Sequence, residues 1–86
     1  MTRTDLKNKL ANYYHESWSY WMKYLFQNST LNNDGTVTIP SELVRRWKRQ
    51  SSVDFKDLSV KEKDIDLDEA DNLIKLLPIW KEEKNE

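Results

Sequence analysis

Tyr13-Tyr14-His15-Glu16-Ser17-Trp18-Ser19-Tyr20-Trp21-Met22-Lys23-Tyr24-Leu25-Phe26 is the densest aromatic run of the chain, with seven of its ten aromatic residues. It contains neither proline nor glycine. Leu6, Leu10, Tyr14, Trp21 and Leu25 recur at spacings near three, four and seven, the period of an α-helix. The spacing predicts one helix from residue 5 to about 27, with Thr4 as its cap. Lys7 stands where a capping box wants an acid, so that box is incomplete. At 100° per residue, Asp5, Asn8, Lys9, Asn12, Glu16, Ser19, Lys23 and Gln27 share a narrow polar stripe. The remaining residues cover an arc of about 240°, against the roughly 100° that a surface helix needs. Leu10, Tyr14, Trp21 and Leu25 are the expected core. His15, Trp18 and Met22 form an edge strip and are the candidate functional surface.

Beyond this helix, Asn28 to Asp34 is polar. Asn33-Asp34-Gly35 signals a turn, because Gly35 is the chain's only glycine and tolerates positive φ. Thr36-Val37-Thr38-Ile39 is β-prone and predicts a short arm or a minimal hairpin. A second helix is expected from Pro40 to about Gln50, since proline suits a first helical turn. Leu43 and Trp47 mark its inner face. Ser51 and Ser52 end the pattern. Ser59-Val60-Lys61-Glu62 spells a complete capping box for a third helix, 60–77, with Leu67, Ala70, Leu73, Ile74 and Leu77 as apolar positions. Pro78 is expected to end or kink it. Ile79 and Trp80 are expected to fold back onto the core, with a charged tail at 81–86. The predicted fold is all-α: a single small three-helix domain, 1–86, with a short β-prone arm between helices 1 and 2.

Eighty-six residues leave little surplus stability. Without cysteine, disulfides and thiolate metal sites are excluded, and one histidine cannot build an imidazole site. Oligomerisation remains as a remedy. The absence of cysteine suits a reducing cytoplasm. The first residues hold no apolar run, so no leader is expected, and no stretch comes near the roughly 20 apolar residues of a membrane span. Net charge is −1 but unevenly placed. The segment 40–50 is basic and the segment 54–86 acidic, which favours pairing of the second and third helices within a chain or between chains.

Several chemical sites fail on inspection. Asp64, Asp66 and Asp68 alternate as in a calcium loop, but Glu69 and Lys75 stand where glycine and glutamate are required. One glycine cannot make a phosphate loop. No Ser/His/Asp or Cys/His constellation is present, so a non-enzyme without metal or cofactor is expected. Arg45, Arg46, Lys48 and Arg49 surround Trp47, a pattern open to an anionic ligand or nucleic acid. The slightly acidic chain argues against nucleic acid. Arg46 and Gln50 flank Trp47 on its inner side.

The run Asp54-Phe55-Lys56-Asp57-Leu58-Ser59-Val60-Lys61-Glu62-Lys63-Asp64-Ile65-Asp66, then Ala70, resembles the second half of the RyR domain, the ryanodine-receptor repeat. Leu10-Ala11 with His15 and Trp18 is similar to that family's opening. Asp54, Phe55 and Leu67 depart from its usual proline, tyrosine and arginine, and its Gly-Trp middle is replaced by the basic second helix. The chain also resembles short proteins of tailed phages and prophages, through His15-Glu16, Trp18-Ser19, Trp21-Met22 and Tyr24-Leu25-Phe26, then Ile39-Pro40, and Arg46-Trp47-Lys48-Arg49-Gln50. The resemblance implies a non-catalytic module for a nucleotide-derived signal, of cyclic-nucleotide or ADP-ribose type. In a phage it implies a sponge that sequesters an immune messenger in the host cytosol, an anti-defence role. The ligand-binding set would be His15, Trp18, Met22, Arg46, Trp47, Arg49 and Gln50, in a homo-oligomer. The alternative is a protein–protein interaction module that grips a host or phage protein through the aromatic face.

Overall fold

The computed structural model describes residues 2–77. The expectations for Pro78, Ile79, Trp80 and the charged tail lie outside the described residues. The fold is all-helical, with three helices and a two-stranded β element between the first and second. The elements in order are α1 (Arg3–Gln27), β1 (Thr30–Leu31), β2 (Val37–Thr38), α2 (Ser41–Ser51), a 3-10 turn (Phe55–Asp57) and α3 (Val60–Ile74). The chain divides into two compact units. Among the described residues, one takes 2–16 and 59–77, and the other is Ser17–Leu58.

In the first unit, α1 begins earlier than expected because Thr2, not Thr4, caps it. The Asp5 N–H donates to the Thr2 hydroxyl at 3.0 Å, and the Thr2 N–H donates to the Asp5 carboxylate at 3.2 Å. An acid three residues after the cap completes the box, which Lys7 does not do for Thr4. The box at Ser59 forms as the sequence predicts. The Glu62 N–H donates to Ser59 Oγ and the Ser59 N–H to Glu62 Oε1, both at 3.2 Å. α3 stops at Ile74, three residues before the expected end. Leu76 and Leu77 close on Leu73 and Ile74 with tighter i→i+3 bonds. Pro78 follows in the sequence, and a residue preceding proline avoids the helical region.

Tyr13 ties the two helices of this unit together: its hydroxyl donates to the Glu69 carbonyl at 3.0 Å. Desolvation, then the neighbouring Glu69, pushes the phenol pKa above its ordinary value. Leu6, Leu10 and Tyr13 are half-buried, whereas Tyr14 is 79% exposed. Tyr14 is therefore not the core residue its spacing suggested. It lies about 100° round the helix from Tyr13, past the side on which α3 is tied. Leu67, Ala70 and Leu73 of α3 are likewise exposed, so its apolar side is less covered than its periodicity implies.

In the second unit, the β element is a minimal antiparallel hairpin with Thr30 opposite Thr38 and Leu31 opposite Val37. The Gly35 N–H donates to the Asn32 carbonyl, and the Asn32 N–H to the Thr36 carbonyl at 2.8 Å. Gly35 has φ +89°, the left-handed conformation that such a three-residue loop needs at its last position. Asp34 braces the loop by accepting from the Thr36 hydroxyl at 2.6 Å and the Thr36 N–H at 3.0 Å. Those two bonds, the hydroxyl's first, hold its carboxyl below the usual carboxylate range. Pro40 precedes α2, and its carbonyl accepts from the Leu43 and Val44 N–H groups. The hydroxyls of Ser51 and Ser52 donate back to the carbonyls of Lys48 and Arg49 and close the helix. The 3-10 turn was not visible in the hydrophobic pattern; the Asp57 N–H closes it on the Asp54 carbonyl at 2.9 Å.

Candidate functional site

The packing of the second unit is led by a chain of rings. Trp21 meets Tyr24 edge-on at 5.7 Å between centroids, and Tyr24 meets Trp47 of α2 at 6.4 Å and 58°. Tyr20 stands edge-on to Trp21 at 6.1 Å. Edge-on pairs set the positive rim of one ring against the negative face of the other. Leu43, Val44, Trp47 and Gln50 are half-buried, as the inner face of α2. Leu43 and Trp47 were expected there. Tyr24, the link to α1, was missed, because it sits inside an arc too broad for the wheel to pick a side.

Among the described residues none is fully buried. On the C-terminal half of α1, Trp18 is 60% exposed, Tyr20 67%, Trp21 40% and Phe26 57%. Trp18, Trp21, Met22 and Leu25 fall at i, i+3, i+4 and i+7, within an arc of about 100°. Met22 and Leu25 of the same arc are half-buried. Tyr24, which meets α2, lies about 110° round from the middle of that arc. The aromatic seam and the α2 contact thus use different sides of the helix. Trp21 joins Trp18 on the exposed seam instead of being enclosed, contrary to its expected core role.

The seven expected site residues are distributed as follows. His15 is exposed in the first unit. Trp18, Met22, Arg46, Trp47, Arg49 and Gln50 all fall in the second. Trp47 faces Tyr24, Gln50 is half-buried beside it on α2, and Arg46 and Arg49 are exposed with Arg45 and Lys48 on the cationic side of that helix. Arg46 therefore does not share the half-buried inner face with Gln50.

An open hollow of about 400 Å³ in the first unit is lined by Asn8, Lys9, Asn12, Tyr13, Glu16 and Leu76. None of these was expected in a site. The first three and Glu16 were read as a solvated stripe, and the apolar Leu76 comes from the far end of the sequence. Among the described residues no group of three or more His, Asp or Glu side chains is placed to hold a metal ion. No helix there is long and apolar enough to cross a membrane. Comparison with protein-family models, curated proteins and solved structures finds no match.

Proposed function

We propose that the chain is a non-catalytic, cytoplasmic interaction module whose working surface is the seam Trp18, Trp21, Met22 and Leu25, and whose partner is a protein. The observation behind this reading is the exposure of two tryptophans at helical spacing beside half-buried methionine and leucine. Anchors at i, i+3, i+4 and i+7 are how one helix face engages a groove or another helix. Tryptophan is among the side chains that dominate binding energy where they are desolvated by a partner.

Placing a photo-crosslinking benzoylphenylalanine at position 18 in the producing cells tests this. Position 23, an exposed lysine on the polar stripe of the same unit, serves as control. Discrete protein adducts are expected at 18 and not at 23. No adduct at either position, or the same smear at both, would overturn the reading.

A second reading rests on the cationic side of α2. Arg45, Arg46 and Lys48 are exposed on the helix that carries Trp47, and cations beside aromatic rings suit an anionic, base-containing ligand. With the RyR-like and phage-like resemblances, this supports sequestration of a nucleotide-derived signal. A rise of the unfolding midpoint with millimolar cyclic nucleotides or ADP-ribose, abolished by Arg46→Ala, is expected on this reading. No rise at those concentrations removes it.

A further inference from the structure

The hollow of the first unit gathers groups that neither the seam nor the cationic side of α2 uses. Its volume of about 400 Å³ falls within the roughly 300–1,000 Å³ of small-ligand sites. α1 contributes Asn8, Lys9, Asn12, Tyr13 and Glu16, and the turn after α3 contributes Leu76. Asn8, Asn12 and Glu16 stand at i, i+4 and i+8; Lys9, Tyr13 and Glu16 stand at i, i+4 and i+7. They form two adjacent rows on one side of α1, both ending at Glu16. The hydrogen bond from Tyr13 to the Glu69 carbonyl holds its ring at the edge of the hollow. No hydrogen bond or ion pair among the described residues engages the side chains of Asn8, Lys9, Asn12 or Glu16.

The order of these groups states what would fit them. Lys9 offers a cation and Glu16 an anion, about 10 Å apart along the helix axis. Helical side chains all lean toward the N-terminus, so the two charges keep about that spacing. Asn12 lies between them and Asn8 beside Lys9. A carboxamide carries both donors and an acceptor, the complement of a peptide group. Tyr13 and Leu76 add apolar surface. The matching ligand has a carboxylate at one end, an ammonium at the other, peptide groups between, and an apolar side chain. A single amino acid is too short to reach both charges, whereas three residues of extended chain span about 10 Å. A nucleotide brings a phosphate for Lys9 but no cation for Glu16.

We propose that this hollow binds a short peptide of about three residues with free termini, its carboxylate at Lys9 and its ammonium at Glu16. The site shares no residue with the Trp18 seam, so either can fail without the other.

The tripeptide Ala-Leu-Ala, titrated to about 10 mM into the isotope-labelled full chain and followed by nuclear magnetic resonance, tests this. A dissociation constant of about 1 mM is expected, with shifts centred on the Asn8 and Asn12 side-chain amides, Glu16 and Leu76. Amidating the C-terminus of the peptide should weaken binding about fivefold, the worth of one exposed ion pair. Lys9→Gln should do the same, and the amidated and free peptides should then bind that variant alike. N-acetylation and Glu16→Gln form the corresponding pair at the other end. Lys9 and Glu16 are exposed, so both variants should fold as the parent does. Three results would each overturn the proposal. One is no shift at about 10 mM; another is shifts centred on Trp18 to Leu25. The third is a Lys9→Gln variant that still prefers the free peptide to the amidated one by about fivefold.

Discussion

Trp47→Ala is expected to lower the unfolding free energy by about 2 kcal/mol and the thermal midpoint by roughly 10 °C. Full truncation of a buried tryptophan costs about 3–5 kcal/mol. Trp47 is half-buried, so the lower figure applies. Its ring at 6.4 Å from Tyr24 is a direct aromatic link between α1 and α2, and Tyr24 in turn positions Trp21 at 5.7 Å. Trp47→Phe retains a ring against Tyr24 and should cost under about 1 kcal/mol. Urea unfolding followed by far-ultraviolet circular dichroism measures both. An alanine variant as stable as the parent would mean that the ring chain does not hold the second unit together.

Trp18→Ala has the opposite signature. Loss of about 2 kcal/mol of association, roughly thirtyfold in affinity, is expected for an anchor residue. Stability of the isolated chain should change by no more than about 0.5 kcal/mol, as for other exposed sites. The two tryptophans thus divide the roles. Trp47 meets Tyr24 of its own unit, whereas Trp18 keeps 60% of its surface exposed. Sedimentation equilibrium, or titration of whichever partner the crosslink identifies, reads the first number. Unchanged affinity would remove Trp18 from the working surface.

Much of the fold is legible in local chemistry. Gly35 is needed where the hairpin loop turns left-handed, and a lone glycine after Asn33 and Asp34 marks the place. Ser59 and Glu62 announce α3 through a reciprocal pair that needs no tertiary context. Leu43 and Trp47 share a face because α2 is short and strongly segregated, with Arg45, Lys48 and Arg49 on the other side. What was illegible depends on which element reaches which side. Periodicity assigns Leu67, Ala70 and Leu73 to an apolar side of α3, yet they are exposed. On α1 the apolar arc is so broad that spacing makes Tyr14 look interior and does not single out Tyr24 for the core, whereas Tyr14 is exposed and Tyr24 meets α2. The candidate surface followed the same pattern. Trp18 was identified from the wheel, but its companions are Trp21 and Leu25 on the seam, and His15 falls in the other unit. Residue spacing defines a helix face; the positions of Tyr13 and Trp47 show parts of that face that the chain itself occupies.

On the proposed reading, the Trp18 seam of α1 serves association and not the packing of the single chain. Equilibrium urea unfolding of Trp18→Ala beside the parent, at about 1 µM where weak association is absent, tests it most directly. The predicted result is a difference within about 0.5 kcal/mol. A loss of 3–5 kcal/mol, the cost of truncating an enclosed tryptophan, would return Trp18 to the core and contradict the account.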